Sequence, residues 1–401
     1  MAQHSPPLEG ITVIALEHAI AAPYATRQLA ELGARVIKIE RVDGGDFARQ
    51  YDARARGLSS HFVWTNRSKE SLTLDLKQPA GLAILNTLLN TADVFVQNLA
   101  PGATAKMGLD KQTLAARNPK LIVCDISGYG NSGPHSSRKA YDLLIQAEAG
   151  LLGITGNVEH SAKSGISIAD IAAGTQAHAA ILAALIQRGK TGLGSHIEIS
   201  MLEAMAEWMG YPLYYSLDGA TQPPRTGTDH ATIYPYGCFR TGSESSSGGG
   251  EVMIGIQNQR EWEKFCRIVL GDDSLITTPA YANNTNRSQN RDSLRKIIEE
   301  KFKQLKTEEV IETLESCGIA CAKAHTIAEL WQHPQLRALN RFIEVDTEAG
   351  TLEALAPPSR SDSFDAAVSK VPSLGEHTLA ILGELGYSDN EIEALAAARV
   401  I

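Results

Sequence analysis

Cysteine is scarce and odd in number: Cys124, Cys238, Cys266, Cys317 and Cys321 are the only five in 401 residues. A disulfide framework uses cysteines in pairs, so this count in a long chain argues against one. Cys317 and Cys321 have no second Cys/His pair at zinc-site spacing, which disfavours a metal site. Positive charge is short as well. The formal net charge is −9, and the Lys and Arg residues do not cluster. The sequence therefore carries no footprint for nucleic acid or an anionic membrane surface. A clean membrane span is missing too: the most apolar long stretch, Ala169 to Ile186, is interrupted by Asp170, Gln176 and His178. Residues 1–7 are polar and lack the basic-then-apolar order of a secretory signal, so the cytoplasm is the expected compartment. No repeat of 20–50 residues is present. There is no G-x-S-x-G elbow and no convincing Ser-His-Asp arrangement, which sets aside the usual serine-hydrolase chemistry.

What is present is an ordinary globular composition, with 43% hydrophobic and 21% charged residues, in a chain long enough for two domains. Ile11 to Leu16 reads as a short buried strand. Pro23 suits the first turn of a helix through Leu32, Gly33 suits its end, and Val36 to Ile39 is a second strand. Ala80 to Asn90 reads as a helix, with strands at Val94 to Val96 and Leu121 to Asp125. A long helix spans Ile171 to Gln187, a strand follows at Ile197 to Ile199, and Ser200 opens another helix. Helices alternating with short apolar strands imply an α/β fold with a parallel, doubly wound, Rossmann-like sheet. The turn after the first strand, Ala21-Ala22-Pro23, lacks G-x-G-x-x-G, so a dinucleotide is disfavoured. The large domain is expected to begin with residues 1–216. Pro, Gly and Thr from Leu217 to Asp229 mark a linker, taken as 217–233. A smaller α+β domain over 234–330 follows, with Ser243 to Gly250 as a flexible loop. Ser388-x-x-Glu391 is a capping box for a last helix.

Three features carry candidate chemistry. Lys38 and Arg41 at the end of the second strand, with Lys69, Lys77, Lys106, Arg138 and Lys139 in or near predicted loops, either grip a phosphorylated ligand beyond the strand ends or are solvated surface charges. Ser127-Gly128-Tyr129-Gly130, followed by Gly133-Pro134, is either a ligand-approaching turn or merely a tight one. Asp170 lies between an apolar, strand-like segment (Gly165 to Ala169) and a small-residue helix. It is either an N-cap or a nucleophilic carboxylate, with Ala169, Ala172, Ala173 and Gly174 leaving room for substrate. His178 reads as a packed core histidine, and His18 as a cleft or turn residue.

Taken in order, several segments resemble the class III CoA-transferase family, which also contains the α-methylacyl-CoA racemases. They include Leu32-Gly33-Ala34-x-Val36-Ile37-Lys38-Ile39-Glu40, Asn66-Arg67-x-Lys69, Gln97-Asn98 with Pro101-Gly102, Ser127-Gly128-Tyr129-Gly130, Ala169-Asp170 and Leu374-Gly375-Glu376-His377-Thr378. The resemblance implies an interlocked homodimer in which a linker and C-terminal segment, 331–401, returns to the large domain. It implies that Asp170 is the catalytic nucleophile, through an aspartyl-CoA thioester. It also implies that CoA contacts His18, Arg41, Asn98, Leu99, Ala103, Lys106, Met107, Lys139 and Tyr141. CoA enters as a co-substrate; no cofactor is permanently bound, and no metal is implied. Two departures from the formyl-CoA transferases stand out: Ile20 occupies a position where they carry Gln, and their glycine-rich flap has Gly248 to Gly250 as its candidate counterpart.

The racemase branch uses a Gly-His-Asp triplet where this chain has Ala140-Tyr141-Asp142. A tyrosine, with a reference pKa of about 10, is a poor base at neutral pH, so a transferase is expected over a racemase. A non-catalytic CoA-binding protein is the alternative from another class. Residues 45–64 resemble members that handle short dicarboxylates, with succinyl-CoA as the expected donor and itaconate or a close C5 relative as acceptor. An intramolecular C1–C4 transfer within mesaconyl-CoA is the main variant. The second carboxylate needs a cation, for which Arg49, Arg67, Arg225 and His230 are the candidates.

Overall fold

The computed structural model describes residues 5–242 and 250–401. They divide into two compact units. The first is Met1–Leu151, Ser164–Tyr211 and Ala338–Ile401; the second is Leu152–Lys163 and Pro212–Arg337.

The first unit is built on six parallel strands: β1 (Thr12–Leu16), β2 (Arg35–Glu40), β3 (Lys69–Thr73), β4 (Val94–Gln97), β5 (Ile122–Ser127) and β6 (His196–Ser200). Their order is β3-β2-β1-β4-β5-β6, with Val13 registered between Val36 and Val94, and Ile14 between Ile37 and Phe95. The period of two explains why these strands are apolar throughout. Val13, Ala15, Val36, Val94, Val96 and Cys124 face one core, and Ile14, Leu16, Ile37, Ile39, Phe95 and Val123 face the other. Helices α1 (Ala21–Glu31) and α4 (Ile168–Thr191) cover the first face. Helix α2 (Pro79–Thr91) and the helix Thr378–Glu384 supply the second core with Ile84, Leu85, Ile381 and Leu382.

The edge strand β3 was not anticipated, because its sequence, Lys-Glu-Ser-Leu-Thr, mixes charge with apolar residues. The structure shows why it forms: Lys69 is buried with a carboxylate partner, and the C-terminal segment covers the open edge. The Gly375 amide donates to Ser71 Oγ (2.9 Å), the Ser71 amide donates to His377 Nδ1 (3.2 Å), and the Thr73 amide donates to Thr378 Oγ1 (3.1 Å). The Leu374–Thr378 motif thus keeps a strand edge from being left open.

By length and composition α4 could cross a membrane. Its alanine-rich face is instead buried against α1 and the sheet, through Ala169, Ala172, Ala173, Ala177, Ile181 and Ala184. These small residues do not leave room for substrate, as their size suggested; they let two helices approach. A Cβ at Gly174 would stand 2.6 Å from the Ala21 carbonyl oxygen and 3.0 Å from Tyr24 Cδ1. Gly174→Ala is expected to lower stability by about 1–3 kcal/mol despite its better helix propensity, because backbone must move. A urea midpoint at or above wild type would refute this packing.

In the second unit, an antiparallel sheet of β7 (Tyr236–Arg240), β8 (Glu251–Gly255) and β9 (Ala320–Lys323) packs with helices around Phe239, Trp262, Phe265 and Phe302. Leu152–Lys163 belongs here and not to the large domain where the sequence reading placed it. Its turn is tied to the segment after Tyr211: the Gly227 amide donates to the Gly156 carbonyl (2.7 Å), and Gln222 Nε2 to that of Gly153 (2.7 Å). The segment read as a linker, 217–233, is part of this unit. Of the expected flexible loop and glycine flap, all but Gly250 lies outside the described residues.

Candidate functional site

In this strand order the connections reverse direction between β1 and β4, and a doubly wound sheet binds ligands beyond the C-terminal strand ends at that point. Here the chain is clamped. The His18 amide donates to Asn98 Oδ1 (2.9 Å), and Asn98 Nδ2 donates back to the His18 carbonyl (2.9 Å). Two of the residues expected to meet CoA are therefore joined. Ala19 adopts a left-handed φ of 59°, a conformation L-residues other than glycine resist. Burial holds the His18 imidazole below its ordinary pKa, so it is neutral at neutral pH. Arg41 lies exposed just past β2, with Nε on the Gly45 carbonyl (2.9 Å). Leu99 follows β4, and Ala103, Lys106 and Met107 sit on or beside the short helix Ala103–Lys106, whose Lys106 is exposed.

Asp170 is the third residue of α4, not a boundary residue. The segment before it is not a strand, and Ser167 holds the N-cap position without a side-chain bond. The cap is supplied from elsewhere. Asp142, first residue of α3 (Asp142–Glu148), accepts from the Ala169 amide (2.8 Å) and the Asp170 amide (3.3 Å) through Oδ1. Gln146 Nε2 donates to its Oδ2 (2.6 Å). The N-terminus of a 24-residue helix favours a carboxylate. Burial, and then the Asp142 charge, weigh against ionisation, and the Asp170 pKa is pushed up to about 7. Tyr141 is the N-cap residue of α3 and is 66% exposed. Lys139 is exposed in the same loop. A Cβ at Gly128 would fall 2.1 Å from Ala140 Cβ, so the glycine turn after β5 serves a close approach of that loop.

The sequence reading missed Tyr51. Its hydroxyl interacts electrostatically with Asp46, Asp170 and Tyr141, and its pKa is pushed up to about 12, by burial first. It belongs to a row of rings, His18–Phe47–Tyr51–His61, with successive centroids 5.3, 5.8 and 5.4 Å apart. The signal available was the pair Gly44-Gly45 followed by Phe47 and Tyr51, just past the second strand.

Other expected residues are committed elsewhere. Lys38 and Lys69 are not surface cations but fully buried ones. Arg49 pairs with Glu40 (2.7 Å) and lies over the Phe62 ring. Arg67 pairs with Glu31 (2.6 Å) and donates to the Leu355 carbonyl. Neither is free for a substrate carboxylate. Arg67→Met should cost about 3 kcal/mol, since Glu31 keeps only the weaker Arg27 contact, and should leave the acceptor KM unchanged; a raised KM at full stability would restore Arg67 as a substrate residue. Arg225 and His230 belong to the second unit. Arg225 donates to the Val158 carbonyl (3.2 Å), and His230 stacks on Tyr236 at 5.2 Å. His178 is a packed histidine with Nε2 buried and unpartnered. A cavity of about 490 Å³, lined by Asp93, Asn118, Lys120 and Arg188 among others, opens at the far end of α4. That end lies roughly 27 Å along the helix from Asp170.

A family model, "CoA-transferase family III", matches residues 8–378. The chain belongs to that family. It is 33% identical over 400 residues to the human succinyl-CoA:glutarate CoA-transferase, covering 98% of this chain and 90% of that one. It is 32% identical to the succinate–glutarate CoA-transferase of Agrobacterium fabrum, over 96% and 97% of the two chains. Among solved structures, a CAIB/BAIF family protein from Brucella suis superimposes with a TM-score of 0.84 at 32% identity, over 95% of this chain and 100% of that one. This class III CoA-transferase is an enzyme whose co-substrates are CoA thioesters and carboxylic acids. Among the described residues no group of three or more His, Cys, Asp or Glu is placed to hold a metal ion.

Proposed function

We propose that the protein moves CoA from succinyl-CoA to a C5 dicarboxylate of the itaconate or glutarate type, with Asp170 as the nucleophile. The observation that carries this is the setting of Asp170: a half-buried carboxylate at the head of a long helix, ionising near neutral pH, beside a tyrosine that keeps its proton. The Asp170 carboxylate attacks the thioester carbonyl and expels the CoA thiolate, forming a mixed anhydride. The thiolate attacks the Asp170 carbonyl, releasing succinate and leaving an aspartyl-CoA thioester. The acceptor carboxylate attacks that thioester, giving a new anhydride and free thiolate. The thiolate then takes the acyl group and frees Asp170. Both intermediates hydrolyse, so water must be kept out.

CoA lies over the His18–Asn98 clamp, with Arg41, Lys106 and Lys139 exposed to serve its phosphates. With Arg49 and Arg67 committed, the acceptor's distal carboxylate takes hydrogen bonds from Tyr51 and from His61, which sits 3.2 Å from Asp52. Two relatives named for glutarate support a five-carbon acceptor. The protein works as an interlocked homodimer in the cytoplasm. Exposed Tyr211, Leu213, Tyr214 and Leu217 are the kind of apolar run that a partner covers.

The test is incubation of the protein with succinyl-CoA and a panel of oxalate and C4–C6 dicarboxylates, and separately with mesaconyl-CoA alone, followed by chromatographic separation and mass spectrometry of acyl-CoA products. Itaconyl- or glutaryl-CoA formation supports the reading. Exchange only with oxalate, or only within mesaconyl-CoA, would replace the acceptor; no exchange despite CoA binding would remove the assignment.

A further inference from the structure

Behind the His18–Ile20 turn lies a buried group of two lysines and two carboxylates, none of which enters the transfer chemistry. The side chains of Glu17, Lys38, Asp46 and Lys69 are fully buried. Each lysine nitrogen has three oxygen partners, and burial, the largest influence on it, pushes the Lys69 pKa down to about 7. Lys69 Nζ reaches Glu17 Oε1 (2.7 Å), the Pro23 carbonyl (3.0 Å) and Asn66 Oδ1 (3.0 Å). Lys38 Nζ reaches Asp46 Oδ2 (2.9 Å), Glu17 Oε1 (3.3 Å) and the Glu17 carbonyl (3.4 Å). Apolar residues fill such sites more favourably than ion pairs do, so a cluster of this kind does not explain itself through stability.

Its geometry shows what it holds. Asp46 Oδ1 accepts from the Ala19 amide (3.1 Å) and the Ala48 amide (2.9 Å), while Oδ2 is fixed by Lys38. The turn at the end of β1 is thereby pinned at successive points: Glu17 by Lys38, His18 by Asn98, Ala19 by Asp46 and Pro23 by Lys69. The pinned residue at its centre is Ala19, with φ 59°. A non-glycine residue keeps that conformation only where its surroundings over-determine it. The same carboxylate, through Ala48, fixes the start of the loop that carries Phe47 and Tyr51.

We propose that Lys38 and Asp46 are a positioning pair for the CoA site, holding the His18–Ile20 turn in the shape that meets CoA. This rests on the reading that CoA lies at the β1–β4 crevice. The pair touches neither CoA nor the reacting atoms; it acts through the Ala19 amide. Its loss weakens CoA binding and spares the chemical step, since Asp170 is held by Asp142 instead.

The experiment measures the CoA dissociation constant by calorimetry and kcat at saturating substrates. Wild-type protein that fails to bind CoA would sink the functional reading itself, separately from this inference. In Asp46→Ala, Kd for CoA is expected to rise about tenfold with kcat changed less than threefold. Adding Ala19→Gly to that variant should return Kd to within about threefold of wild type, because glycine takes the left-handed turn without help. A folded Asp46→Ala with wild-type Kd, a loss confined to kcat, or no recovery with Ala19→Gly would each overturn the proposal. Should Asp46→Ala not fold, Lys38→Met combined with Asp46→Leu removes both charges together, so that neither is left buried without its partner. Kd raised about tenfold and returned toward wild type by Ala19→Gly then supports the pair, and a wild-type Kd, or no recovery with Ala19→Gly, overturns it.

Discussion

Asp170→Asn is expected to lower the exchange of labelled succinate into succinyl-CoA by at least about a thousandfold while leaving CoA affinity within about threefold. The exchange is a half-reaction that needs only succinyl-CoA and its own acid, so it isolates the nucleophile from every question about the acceptor. Asparagine keeps the shape and cannot form the anhydride, and removing a covalent nucleophile removes the two-step path outright. The fold should be indifferent, because the helix start is capped by Asp142 through main-chain amides. Asp170→Glu sharpens the point. The carboxylate is retained and displaced by one methylene, and misplacement of about an ångström costs on the order of a hundredfold. Asp170→Asn exchanging within tenfold of wild type would place the nucleophile elsewhere, and so would a glutamate variant as active as the native protein.

The sheet was legible in the sequence from local pattern, and Asp170 was singled out by another route. Strands β1, β2, β4 and β5 are buried on both faces, so β-branched runs betray them whatever surrounds them. Strand β3 hid because Lys69 and Ser71 look like loop residues until their partners, Glu17 and Glu40, are in place. Those partners lie 52 and 31 residues away. Arg49 and Arg67 misled for the same reason: a charge reads alike whether it faces ligand or a buried carboxylate. Leu152–Lys163 left no composition shift, since its place in the second unit rests on main-chain and amide contacts to residues after 211. Asp170 was singled out through family resemblance, and local spacing alone would have made it an N-cap. Asp142, which does the capping, lies 28 residues away from Asp170 and was visible only as the aspartate of a triplet whose neighbour had changed.

The pH dependence of kcat/KM for succinyl-CoA should follow Asp170. Only the carboxylate attacks, so the rate should rise with pH through an inflection near 7, the value to which burial and the neighbouring Asp142 charge push this group. His18 cannot supply that limb, since burial places its titration below the ordinary 6.5. Asp142→Asn removes the second cause and keeps an oxygen for the helix amides, so the inflection should move to lower pH and not vanish. The same ionisation appears in stability with a definite sign. Asp170 has a higher pKa folded than its ordinary 3.8, so the folded protein holds this proton more tightly than the unfolded chain. The stabilisation is complete below about pH 4 and is lost as pH rises toward 7. Asp170→Asn should therefore raise Tm relative to wild type by about 2–4 °C at pH 8 and by less at pH 4. A flat profile between pH 6 and 8, together with an equal Tm gap at both pH values, would mean that Asp170 is already ionised in the resting enzyme. The strength of the nucleophile would then come from the helix terminus rather than from burial.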